Sequence, residues 1–163
     1  MDLKKHIAVV NEYAVKNVSF PDNRVSDYIA GRMEDNLIAF DNDKVILRRN
    51  ELDKNAHDIQ KLFDNGSPVS IMTISLDKDY LEDNGVFGFL SDNVDDQVRL
   101  CRAIKNGLKR MNHVGDDDLQ YVGVIQGDTK SVYFRVVMVN MGDGKLSQEM
   151  AHDLRCGIDD YLG

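Results

Sequence analysis

Short runs of β-branched and apolar residues alternate along the chain with longer stretches in which apolar positions return every three or four residues, and Gly, Asn and Asp mark the joints. Residues 119–125 and 132–139 are the clearest strands, rich in the Val, Ile and aromatic side chains that suit a pleated, packed surface. The short turn at 127–131 predicts that they form a β-hairpin. Residues 69–76 alternate loosely and predict a further strand. Residues 36–40 and 44–48, separated by the polar Asp41, Asn42 and Asp43, predict a second hairpin. Residues 2–13 fit a strand or a short helix.

Helical spacing is as distinct. Leu52, Ala56, Ile59, Leu62 and Phe63 share one face of a helix over about 51–63, capped by Asn50 and ended by Asn65 and Gly66, with Pro68 beyond. One or two helical turns over 77–83 close at Asn84 and Gly85. A long helix starting at Asn93 or Asp95 and running to about Asn112 turns Val98, Leu100, Cys101, Ile104, Leu108 and Met111 toward a core. Ser147, Met150, Leu154, Ile158 and Leu162 predict a closing helix from about 146. The sum is an α+β fold, an antiparallel sheet with helices packed mainly on one face. No repeat or linker divides it, so one domain over 1–163 is expected.

Composition narrows the class. The chain is long enough to bury a core without staples. No apolar run approaches the ~18–20 residues of a membrane span, and the apolar run 7–10 behind Lys4 and Lys5 is too short for a secretory signal. Cys101 and Cys156 make no disulfide framework, so a cytoplasmic location is expected. The net charge of −8 opposes general nucleic-acid binding, because phosphate contact relies on Lys and Arg. The charge is unevenly spread, however. Residues 97–115 contain no acid, while Arg99, Arg102, Lys105, Lys109 and Arg110 supply five cations; acids gather at 77–83, 92–96 and 116–118. Such a helix either presents a solvated basic face or offers one DNA-facing strip on an acidic body.

Candidate chemistry is sparse. His6, His57, His113 and His152 are scattered without metal-ligand spacing. His113 suits a helix C-terminus. Asp41, Asn42 and Asp43 lack the glycine and distal glutamate of a calcium loop. Asp116, Asp117 and Asp118 suit a solvated loop. No phosphate-cradling glycine loop and no Ser or Cys nucleophile motif is present. Neither a cofactor nor a metal is expected.

The segment 121–140, YVGVIQGDTKSVYFRVVMVN, resembles the strand–turn–strand that carries the metal site of HUH-type DNA relaxases, whose usual form is IHxDTxxxHxH followed by a hydrophobic residue. Asp128 and Thr129 match its Asp-Thr pair, although the same residues also make a favourable hairpin turn. Three further pieces are similar to MobL/MobP-type plasmid relaxases in the same order and spacing. These are LFDNGSPV (62–69), SIMTISLDKDYLEDNGV (70–86) and GKLSQEMAHDLR (144–155), and a basic helix precedes the strand pair as in the family. The N-terminal third carries less of the pattern, chiefly YIAGRME (28–34).

The resemblance implies an open-sheet HUH fold in which strand histidines hold a divalent metal that polarises a DNA phosphate for attack by a tyrosine. Here Gln126, Tyr133 and Arg135 stand where the pattern has its three histidines. Tyr133 and Arg135 lie two apart on a strand and so share a face. Arg brings a permanent positive charge and no lone pair, and a tyrosine hydroxyl titrates near ~10. Arg135 is suited to bind a phosphate directly and Tyr133 to stack on a base; the two residues also suit an ordinary half-exposed sheet face. Tyr13 and Tyr28 are the nucleophile candidates, with no basis for choosing between them.

The expectation is therefore a catalytically degenerate relaxase-like domain. Single-stranded or hairpin DNA, or a relaxosome or conjugation protein, would be its partner, and no membrane. Gln126, Tyr133, Arg135, Arg99, Arg102, Lys105, Lys109 and Arg110 would make the contact. One alternative is a protein-interaction module that has lost DNA binding. Another is an active nuclease with ligands reorganised around Gln126, Asp128 and one histidine.

Overall fold

In the computed structural model the described residues are 2–14, 38–45, 49–66, 69–87, 94–111, 120–127, 131–139 and 146–163. Their elements follow the order α1 (Leu3–His6), β1 (Ile7–Ala14), β2 (Ala39–Asp41), α2 (Arg49–Asp64), β3 (Val69–Asp77), α3 (Lys78–Asp83), α4 (Val94–Met111), β4 (Gln120–Gly127), β5 (Ser131–Val139) and α5 (Gln148–Leu162). The five strands form one sheet in the order β1-β3-β5-β4-β2, with every neighbouring pair antiparallel. The α+β architecture expected from the sequence is the one observed.

Alternation along the strands gives the sheet two faces. On the first, Met72, Ile74 and Leu76 of β3, Val132, Phe134, Val136 and Met138 of β5 and Phe40 of β2 join a core with α4 and α5. Helix α4 contributes Leu100, Ile104 and Leu108, and α5 contributes Leu154 and Ile158. On the second face only α2 is present among the described helices. Its Leu52, Ala56, Ile59 and Phe63 cover Val69 and Ile71 of β3, Val122 and Val124 of β4, and Val137 and Val139 of β5.

The sequence of β5 records this half-cover. From Val132 to Arg135 apolar and polar residues alternate, as befits a strand packed on one side, whereas residues 136–139 are apolar throughout and buried on both sides. The other half of the second face carries half-exposed side chains instead: Thr73 and Ser75 of β3, Tyr133 and Arg135 of β5, and Gln126 of β4. Val10 of β1 lies in the same row and is 59% exposed.

Local chemistry sets the element ends. Asp77 caps α3, its Oδ1 accepting from the Tyr80 amide at 2.8 Å, and Ser147 caps α5 through the Met150 amide at 3.1 Å. Gly66, at φ 94°, ends the turn after α2, and Gly85, at φ 82°, ends the one after α3. The N-terminal segment holds both of the forms its pattern allowed, one turn of helix and then a strand. Of the hairpin expected across 36–48, the described residues hold the end of the first arm, the turn and the start of the second arm. Asp41 does make the tight turn, its carboxylate accepting from the amides of Asp43 and Lys44. Lys44 and Val45 are not strand, however, and β2 pairs with β4. Phe40 of β2 finds a place over Gly123, where no Cβ intervenes. The remaining arm residues 46–48, Pro68, Asn93, Asn112 and the turn residues 128–130 lie outside the described residues.

Helices α4 and α5 approach each other at two glycines. A Cβ on Gly107 would lie 2.6 Å from the Leu154 carbonyl oxygen, and one on Gly157 would lie 2.7 Å from the Gly107 Cα. Alanine in a helix interior ordinarily gains about 1 kcal/mol over glycine, but here the backbones would have to separate. Gly107→Ala and Gly157→Ala are each expected to lower the unfolding free energy by about 1–3 kcal/mol, as measured by urea denaturation with unchanged m value.

Candidate functional site

The half-covered second face brings three of the sequence-predicted site residues together. Gln126 and Tyr133 are direct cross-strand partners, and Arg135 follows two residues along β5 on the same face. Across the sheet on the other side, Ser75 stands opposite Tyr133 and Thr73 opposite Arg135. Directly opposed side chains in such a pair have Cβ atoms about 5 Å apart, so the five residues form one polar patch over the middle strands.

Arg135 is held within it. Its Nε donates to Gln126 Oε1 at 3.0 Å and its Nη1 to Thr73 Oγ1 at 3.3 Å. Both partners are on neighbouring strands, so sheet register fixes the guanidinium. Thr73 and Ser75 were not picked out from the sequence. Their signal lay in β3, where Thr73, Ser75 and Asp77 take every second position of residues 72–77 between apolar neighbours, marking a stretch of the second face that no described helix covers.

The basic strip on α4 belongs elsewhere. Helix α4 packs on the first face, so the sheet separates it from Arg135. Arg99 donates from Nη1 to the Asn84 carbonyl at 2.7 Å and from Nη2 to the Leu162 carbonyl at 2.8 Å, tying two helix C-termini to α4. Lys105 donates from Nζ to the Asp41 carbonyl and sits 5.9 Å from the centroid of the Tyr121 ring. Burial lowers the pKa of Lys105, against the opposing pull of Asp41 and Asp43, and raises that of Tyr121 to about 12 with help from the same two acids. Arg110 pairs with Asp160 of α5, whose hydrogen bond and charge raise its pKa further. Arg102 and Lys109 are exposed. Three of the five cations thus carry internal links, and the eight predicted contact residues divide between the two sides of the sheet.

Other candidates are quickly placed. Tyr13 lies in β1 opposite Ser70; Tyr28, His113, residues 116–118, Asp128 and Thr129 lie outside the described residues. His6 contacts Asp77 at 2.8 Å, and His152 lies one helical turn from Cys156. Among the described residues no three His, Cys, Asp or Glu side chains converge as a metal cage, and no helix is long and apolar enough to cross a membrane.

An antiparallel sheet with helices packed mainly on one face and a polar patch on its central strands defines a relaxase-like α+β scaffold. Residues 5–155 match the family model of the MobL relaxases, and the chain belongs to that family. No curated protein and no solved structure gives a match. The divalent ion that relaxase chemistry implies does not fit the patch as built. The Gln126 oxygen is turned toward the Arg135 guanidinium, and that guanidinium is itself a permanent cation with no lone pair to offer.

The internal links of Arg99 give a clear contrast with Arg102. Arg99→Met is expected to destabilise the fold by about 2 kcal/mol, because it strips charge-assisted hydrogen bonds from two carbonyls. Arg102→Met should stay within about 0.5 kcal/mol. Paired thermal and urea denaturation would check both.

Proposed function

We propose that this chain acts in the mobilisation or replication of a plasmid or another mobile element, or in its regulation, as a relaxase-family domain that grips DNA without nicking it. Membership of the MobL relaxases supports a relaxase-related role in a mobile element. The observation that carries the rest is the half-exposed Arg135 on a hydroxyl-rich part of the sheet that no described helix covers, beside Tyr133. A guanidinium meets phosphate oxygens with paired N–H donors. A neighbouring tyrosine offers a ring on which a base of a single strand or hairpin can stack. The −8 net charge restricts such binding to this one patch.

A second reading has its own support. Because Arg99, Lys105 and Arg110 are engaged within the fold, few cations remain to draw DNA to an acidic protein. On that reading the domain binds a relaxosome or conjugation protein and has lost its DNA contact.

Fluorescence anisotropy with single-stranded, hairpin and duplex oligonucleotides across a salt series separates the two. The first expects submicromolar binding of single-stranded or hairpin DNA that weakens steeply with salt, without strand cleavage on denaturing gels. Arg102→Glu combined with Lys109→Glu should change affinity less than about threefold, because these residues lie on the far side of the sheet from Arg135. Absence of binding at low salt would turn the assignment to the protein-interaction module. A nicked product would restore an active nuclease.

A further inference from the structure

The disagreement between the patch and a metal ion has a definite chemical content. Of the five N–H donors that a guanidinium carries, Arg135 uses one on Gln126 and one on Thr73. Three have no partner among the described residues, on a group that is only half exposed and whose plane is set by two strands. Gln126 cannot act as a cation ligand and as the acceptor for Arg135 Nε with the same lone pair; its amide oxygen works as a brace. Thr73 braces the other edge. The two braces and the cation make a complete device for one kind of guest, a tetrahedral oxyanion, with Ser75 in the adjoining position of β3 as a neutral hydroxyl.

We infer that the patch is a metal-independent anion site, in which the Arg135 guanidinium, positioned by Gln126 and Thr73, itself supplies the positive charge that holds a phosphate group. Arg135 is the binding residue; Gln126 and Thr73 are positioning residues that act through it. A preset guanidinium loses less freedom on meeting a phosphate than a mobile surface arginine does, and half-burial weakens competition from water. The inference rests on the proposed function only for the source of the phosphate, a nucleic-acid strand. The anion site itself stands or falls on chemistry that inorganic phosphate can probe.

Two measurements keep those questions apart. The first follows the Arg135 side-chain Nε–Hε signal by ¹⁵N NMR while inorganic phosphate is added to the full chain in the presence of a chelator. A saturable shift of that signal is expected, lost in Arg135→Gln and weakened in Gln126→Ala with the rest of the spectrum intact. The second repeats oligonucleotide anisotropy with chelator and with manganese. Affinity should be the same in both, about tenfold lower for Arg135→Gln, and intermediate for Arg135→Lys, which keeps the charge and loses the fork. Binding that requires manganese, or a phosphate titration that leaves the Arg135 signal unmoved, overturns the anion site. A phosphate shift without oligonucleotide binding upholds the anion site and sinks the DNA reading. Oligonucleotide binding indifferent to Arg135→Gln overturns a nucleic-acid strand as the source of the phosphate at this site, and the phosphate titration alone then decides the anion site.

Discussion

Everything in this molecule depends on how much of the second sheet face α2 covers. The helix is long enough to bury Val122, Val124, Val137 and Val139 but leaves Tyr133, Arg135 and Gln126 beyond its apolar footprint. Complete cover would have required apolar residues at all these positions and left no patch. Without the helix, a row of valines would stand in water, each forfeiting about 1.5–3 kcal/mol of burial. The boundary runs between Arg135 and Val137 within one strand. The stabilising core and the polar site are therefore two ends of the same β5, and the rigidity of the first is transmitted to the second through the strand itself.

Arg135 differs from Arg99 and Arg155 in the kind of acceptor that holds it and in where it lies. Arg99 and Arg155 also donate to fixed acceptors, but these are main-chain carbonyls, of Asn84 and Leu162 for Arg99 and of Ile7 for Arg155. Their task is to satisfy chain ends and strand backbone that would otherwise lack partners. Arg135 is braced by side chains instead and lies on the one sheet region with no described helix above it. The same residue type thus does structural work on one side of the sheet and is available for recognition on the other.

The strands and the amphipathic helices were legible in the sequence because their signals are local. The 3.6-residue recurrence of Leu100, Ile104 and Leu108 needs no knowledge of partners, nor does the alternation around Phe134. The pairing of β2 with β4 was not legible, because β2 is a three-residue strand that seats Phe40 over Gly123, some eighty residues away in the chain. The candidate site was half visible. Gln126, Tyr133 and Arg135 were found as a set and do share a face, yet Thr73 entered only through the pairing of β3 with β5. The strip from Arg99 to Arg110 read as one surface because a sequence lists charges without their acceptors. The Asn84 and Leu162 carbonyls and Asp160 come from other segments, and no spacing rule announces them.

The strand order has a consequence for how the chain is made. β5 occupies the middle of the sheet but comes last among the described strands, so a ribosome delivers the centre after both flanks. Before it emerges, β1 can pair with β3 and β2 with β4, giving two detached ribbons with apolar flanks and open edges. Such unpaired edges invite association with other chains. The β4–β5 hairpin then joins the halves in one step, and with it Arg135 meets Gln126 and Thr73 for the first time. Synthesis halted before residue 131 would yield neither half a site nor half a sheet interior, but a nascent polypeptide in need of a chaperone.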